Sequence, residues 1–128
     1  IRREFPGGWS DHSQNAFTKE GRTAEQEKYH DVTKKLFNWR KNKSVIHSGK
    51  TMHYATENNV YVYFRYNESE TVMVVLNNNA EKQTLKLDRF KENIKAHLSA
   101  TEVLSNKQVN LQGDLEIEGQ SALILELK

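Results

Sequence analysis

The feature that most constrains this chain is a change of hydrophobic period near residue 44. Before it, Tyr29, Val32, Leu36 and Trp39 recur at spacings of three, four and three, which puts them on one helical face. After it the period is two. Residues 60–66 read VYVYFRY, a run of β-branched and aromatic residues that suits a strand. The chain therefore combines one helix with a series of strands, and the helix must bury its stripe against another layer.

Local signals fill in both parts. Thr23 reads as the helix N-cap, and Gln26 three residues on completes a capping box. Lys34, Lys35, Arg40 and Lys41 gather toward the C-terminal end, where positive charge suits the helix dipole. Ahead of the helix, residues 1 to about 22 carry Pro6-Gly7-Gly8, a polar run from Ser10 to Asn15, and Gly21: turn chemistry without a sustained period. A loop of ~20 residues is uncommon in a compact domain. This one holds Phe5, Trp9 and Phe17, which need a surface to pack on. Beyond residue 44, strands are expected at 51–56, 60–66, 72–76, 84–87, 102–104, 108–111, 115–118 and 122–127, with a helical turn at 89–94. The strand at 72–76 reads as buried on both faces. Roughly eight short strands at this spacing predict an antiparallel sandwich or barrel.

Composition narrows the function classes. The 128 residues suffice for one domain with a core. Lys and Arg total 19 against 17 Asp and Glu, and the small net charge of +2 gives no reason to expect a nucleic-acid partner. The longest apolar run, Val72 to Leu76, is far too short to span a bilayer. Without cysteine there is neither a disulfide framework nor a Cys-based metal site. The sequence opens at Ile1 with no initiator Met and no signal pattern, as expected of a piece cut from a longer protein; a processed N-terminus is the alternative.

No residue group here reads as a catalytic centre. His12, His30, His47, His53 and His97 are scattered and make no paired ligand motif, so no metal site and no cofactor are expected. Glu116 and Glu118 share one strand face and superficially resemble a catalytic carboxylate pair, but alternation with Leu115 and Ile117 makes them the solvent face of a half-buried strand. Ser10, Asp11 and His12 are adjacent in sequence, whereas a nucleophilic triad is assembled by geometry. Gly7-Gly8 lacks the pattern of a phosphate loop. Tyr61 and Tyr63 lie on one strand face, opposite Val60, Val62 and Phe64. They are a candidate stacking platform for sugar rings, with packing against a neighbouring strand or domain as the plainer reading.

Several segments carry a family resemblance. Arg2-Arg3-Glu4-Phe5-Pro6-Gly7-Gly8-Trp9, Asn15-Ala16-Phe17, Arg22-Thr23 and Leu36-Phe37-Asn38-Trp39-Arg40-Lys41 resemble the end of the catalytic barrel in neopullulanases and cyclomaltodextrinases, members of glycoside hydrolase family 13. Ile46-His47-Ser48-Gly49-Lys50, Val60 to Arg65, Val72 to Asn77 and Ile124 to Leu127 continue the likeness, which thins to strand patterning after residue 80. The resemblance, to Bacteroides-type starch-utilising members in particular, implies that residues 1–43 are the last loop and eighth helix of a (β/α)8 barrel. Residues 44–128 would then be a C-terminal Greek-key β-sandwich packed on it. It further implies a parent that hydrolyses α-glucosidic bonds with retention, through an Asp nucleophile, a Glu acid/base and a second Asp, all on barrel strands outside this chain. The chain alone is then not an enzyme and holds no catalytic residue. Its partners would be the missing barrel and, for the parent, an α-glucan; calcium in the parent and a periplasmic or otherwise exported location are further implications.

The same resemblance places Arg2 at a glucose-binding subsite of the parent, where a guanidinium fork would hold sugar hydroxyls or orient a preceding Asp. Trp9 would add stacking. Two other readings of the strand region stand beside the structural one: a starch-binding module with Tyr61, Tyr63 or Tyr54 as its platform, and an unrelated β-sandwich that binds protein through the helix stripe.

Overall fold

The computed structural model describes residues 4–128, which form two compact units, the first ending at Asn38 and the second running from Trp39 to Lys128. In the first, residues 4–22 are turns, and helix α1 spans Ala24–Lys41, its last residues belonging to the second unit. The expected capping box is present in both directions. The Thr23 amide donates to Gln26 Oε1 at 2.9 Å, and the Gln26 amide to Thr23 Oγ1 at 3.2 Å. These bonds satisfy two donors that a helix start leaves unpaired. Arg22 ties the loop to the helix: its guanidinium donates to the Ala16 carbonyl at 2.7 Å and to the Glu27 carboxylate. Gly7, at φ +99°, turns the loop where a side chain would strike Asn15, and its amide donates to His12 Nδ1.

The second unit is an antiparallel β-sandwich. A short helix α2 (Ser44–His47) leads into β1 (Lys50–His53), β2 (Val60–Tyr66) and β3 (Thr71–Asn77). Then come β4 (Gln83–Leu85), a 3₁₀ turn (Leu87–Phe90) and α3 (Lys91–Ile94). The chain closes with β5 (Ser99–Glu102), β6 (Gln108–Asn110), β7 (Leu115–Ile117) and β8 (Ser121–Leu127). The larger sheet has the order β1-β2-β3-β8-β5-β6, and β4 pairs with β7 in a second, two-stranded sheet. The chain leaves the large sheet after β3 for β4, returns with β5 and β6, leaves again for β7, and comes back with β8, which lies beside β5 in the Greek-key manner and closes the gap to β3.

Register explains the core. In β2, β3 and β8 the pairs Val62–Val75–Leu123 and Phe64–Met73–Leu125 cross the sheet on one side. Against that side lie Leu85, Leu87, Phe90, Ile94, Leu115 and Ile117 from the second layer. Phe64, Phe90, Met73 and Leu125 are fully buried. Asn77 joins the layers: its amide donates to the carbonyls of Glu81 at 3.0 Å and Glu118 at 2.9 Å, while its oxygen accepts from the Asn79 amide at 2.9 Å. A buried amide with these partners ties the end of β3 to the chain that follows β7 with its polar atoms satisfied.

Two expectations need correction. The strand placed at 102–104 lies at Ser99–Glu102, and the chain turns immediately after it. Glu102 causes the turn, since its carboxylate accepts from the Leu104 amide at 3.1 Å and the Ser105 amide at 2.6 Å. The strand at 72–76 is not buried throughout, because Leu76 is 40 % exposed. No residue of α1 is buried, and Tyr29 and Val32 of its stripe stand in solvent.

Candidate functional site

The outer side of the large sheet concentrates the chemistry of the second unit. Strand pairing arranges its side chains in rows. Arg65, Val72 and Glu126 form one row; Tyr63, Val74 and Ile124 a second; Tyr61, Leu76 and Ala122 a third. The first two are covered by Trp39 from the end of α1 and by Val45 and Ile46 from α2, which pack with Val72, Val74, Tyr63 and Ile124. Among the described residues, the third row carries no such cover.

Polar bonds lock the covering segment down. Trp39 Nε1 donates to Glu126 at 2.6 Å, and Lys43 Nζ sits 2.6 Å from the same carboxylate and 3.4 Å from Glu70. Ser44 Oγ donates to Glu70 at 3.1 Å. Arg65 reaches the Ile46 carbonyl at 2.9 Å and the Val45 carbonyl at 3.3 Å. Burial pushes the Glu126 carboxyl upward, but the bonds from Lys43 and Trp39 outweigh it and hold the group below the usual glutamate value. Lys43 is raised in turn, chiefly by its bond to Glu126.

The structure separates the tyrosines. Tyr54 faces the core, its ring against Phe90 at 4.8 Å and Phe64 at 5.9 Å, and its hydroxyl donates to Asn93 at 2.7 Å. Tyr63 packs into the covered rows. Tyr61 lies 5.8 Å from the Tyr63 ring and 6.3 Å from His53, and borders an open pocket of about 340 Å³. Glu116 and Glu118 are exposed and share Lys82, at 2.5 and 4.0 Å.

In the first unit, Trp9 is 66 % exposed and Phe5 meets Phe17 edge-on at 4.9 Å. Arg2 lies outside the described residues. Ligand atoms of Glu27, His30 and Asp31 come within 4.8 Å of one another, but Glu27 already accepts from Arg22 and the other two are exposed, so the group has no built character as a metal site. No helix among the described residues is long and apolar enough to cross a membrane.

The Trp39–Lys43–Glu126–Glu70 cluster escaped sequence reasoning because its members lie as much as 87 residues apart. Asn77 left a faint trace: a polar residue in phase with the inward positions Met73 and Val75.

Comparison with known structures places this architecture. An α-amylase from Anoxybacillus matches with a TM-score of 0.65 at 21% identity, over 76% of this chain and 22% of its own. The α-amylase of Geobacillus thermoleovorans, solved with acarbose, matches at 0.67 and 20% over 83% of this chain and 23% of its own. The trehalulose synthase of Pseudomonas mesoacidophila matches at 0.56 and 21% over 73% and 17%. The chain thus spans about a fifth of the length of these proteins, and at such identity the likeness is one of fold. The family of cyclo-malto-dextrinase C-terminal domains matches residues 51–126, more than half of the sequence and nearly the whole sandwich. The chain belongs to the cyclo-malto-dextrinase C-terminal domain family.

Proposed function

We propose that this chain is the non-catalytic C-terminal end of an α-glucan-hydrolysing glycosidase acting on starch, maltodextrin, cyclodextrin or pullulan. In this reading residues 1–43 are the last loop and eighth helix of a catalytic (β/α)8 barrel, and residues 44–128 are a sandwich that packs on the barrel and stabilises it. The observation that carries the reading is the unfilled apolar surface of the first unit. Tyr29 is 66 % exposed and Phe37 58 %, and they border a groove of about 580 Å³ shared with Phe5, Pro6 and Ala16. A helix displaying an aromatic face is half of a packing contact. Family membership supports the enzyme class.

Retaining hydrolysis uses two carboxyl groups about 5–5.5 Å apart across the scissile bond. These groups, like any calcium the parent holds, belong in this reading to the barrel. Arg2 and Trp9 would serve the parent by binding glucose near the barrel mouth, and Arg2→Ala in the full-length enzyme is expected to raise KM for maltodextrin. The main test deletes residues 44–128 from the full-length polypeptide. A lower melting temperature is expected, and residues 1–128 alone should release no reducing sugar from maltodextrin. Sugar release by these residues alone, or a deletion that leaves melting and activity unchanged, would overturn the reading.

A further inference from the structure

The uncovered row of the sheet, Tyr61–Leu76–Ala122, runs into the pocket of about 340 Å³ lined by Thr56, Asn59, Tyr61, Leu76, Asn77 and Asn78. Every lining side chain is neutral. Other surface pockets of this unit are not: one is lined by Lys50, Glu68 and Lys95, another by Glu57, Lys86 and Arg89. A neutral, amide-rich rim beside an aromatic ring suits a neutral polyhydroxylated ligand. The C–H face of a sugar ring stacks on the tyrosine, and its hydroxyls exchange hydrogen bonds with amides and a threonine hydroxyl. A volume near the low end of the ~300–1,000 Å³ typical of ligand sites leaves room for a short saccharide segment.

The rim is rigid before any ligand arrives. Asn58 and Asn59 take left-handed conformations, φ 50° and 55°, in the tight turn between Glu57 and Val60. Asn79 reaches across to that turn, donating to the Asn58 carbonyl at 2.7 Å, and the Asn78 amide N–H donates to the Asn59 carbonyl at 3.1 Å. Asn77 holds Asn79 from behind. By contrast, the side chains of Tyr61, Thr56 and Asn78 form no hydrogen bond to any described residue. A pre-set rim with free polar groups lowers the ordering cost of binding.

We propose that this pocket is a saccharide-binding site of the sandwich, with Tyr61 as stacking surface and Thr56 and Asn78 as hydroxyl partners, and that its ligand is a segment of α-linked glucan. The choice of α-glucan rests on the hydrolase reading above; a neutral stacked sugar does not. The test is native electrophoresis of the full-length protein through gels containing soluble starch, with maltotriose hydrolysis measured in parallel. Tyr61→Ala is expected to weaken starch retardation about three- to tenfold, the range of one aromatic contact. Tyr61→Phe should stay within about twofold, and maltotriose turnover should not change. Asn78→Ala, at an exposed position where folding is not at risk, should weaken retardation about twofold to threefold, the loss of one modest hydrogen bond. It serves as the deciding variant if Tyr61→Ala fails to fold. Unchanged retardation in Tyr61→Ala or, failing its folding, in Asn78→Ala would overturn the site. So would a Tyr61→Ala protein that melts lower yet binds starch normally, since the ring would then be a packing contact. Tyr61-dependent retardation in a protein that hydrolyses no α-glucan would keep the site and remove the hydrolase reading.

Discussion

Residues 4–38 and residues 39–128 answer the same physical demand in opposite ways. The sandwich buries Phe64, Phe90, Met73 and Leu125 completely and draws a two-layer core from its own strands. In the first unit no described residue is buried, although it holds Phe5, Trp9, Phe17, Tyr29 and Phe37, all more than half exposed. Both parts have well-made local structure: a reciprocal capping box in one, regular ladders in the other. Local order and burial are therefore separate achievements. Helix propensity and capping define α1, while the free energy of removing aromatic surface from water is left uncollected.

The widest separation between the two parts is expected in paired truncations of phenylalanine. Phe64→Ala should cost about 3–5 kcal/mol in urea unfolding of these residues, through the cavity it leaves. Phe37→Ala, at 58 % exposure, should fall within about 0.5 kcal/mol in the same measurement. In the full-length protein Phe37→Ala should become destabilising; if it stays neutral there, the exposed face of the first unit is not a packing surface. Next in size is Asn77→Ala, which strands the carbonyls of Glu81 and Glu118 and should cost about 1–3 kcal/mol by thermal melting.

A subtler effect concerns acid. Glu126 is held below the ordinary glutamate value of about 4.3, so its contribution is complete above that pH and is lost as pH falls through its lowered folded value. Lys43, raised, contributes fully below about 10.4 and loses its share as pH climbs through its folded value. Glu126→Gln should therefore flatten the acid limb of the unfolding midpoint against pH and leave the slope near neutrality alone. Last comes Thr23→Ala, which removes the cap from α1 and should lower helicity by circular dichroism at a cost of about 1 kcal/mol, without touching the melting of the strands.

How far all this was legible depended on the range of the interactions. VYVYFRY and the Thr23–Gln26 box are local patterns, and each appears where the spacing put it. The family resemblance held over residues 51–126, which include the contiguous segments Val60 to Arg65 and Val72 to Asn77 and most of Ile124 to Leu127. Glu102 misled because strand propensity in its neighbours lost to a carboxylate that captures two amides and ends the strand. Period alone said that Tyr61 and Tyr63 share a face. That Tyr63 lies under cover while Tyr61 borders a pocket depends on Trp39, Val45 and Ile46, whose docking no local pattern encodes.

The most direct measurement is amide hydrogen exchange of residues 24–38, compared between these 128 residues alone and the full-length polypeptide. Those amides should exchange fast in the short form and slowly in the long one, while the β2, β3 and β8 amides are protected in both. Equal protection of 24–38 in the two forms would contradict it, because the helix would then owe nothing to a larger neighbour.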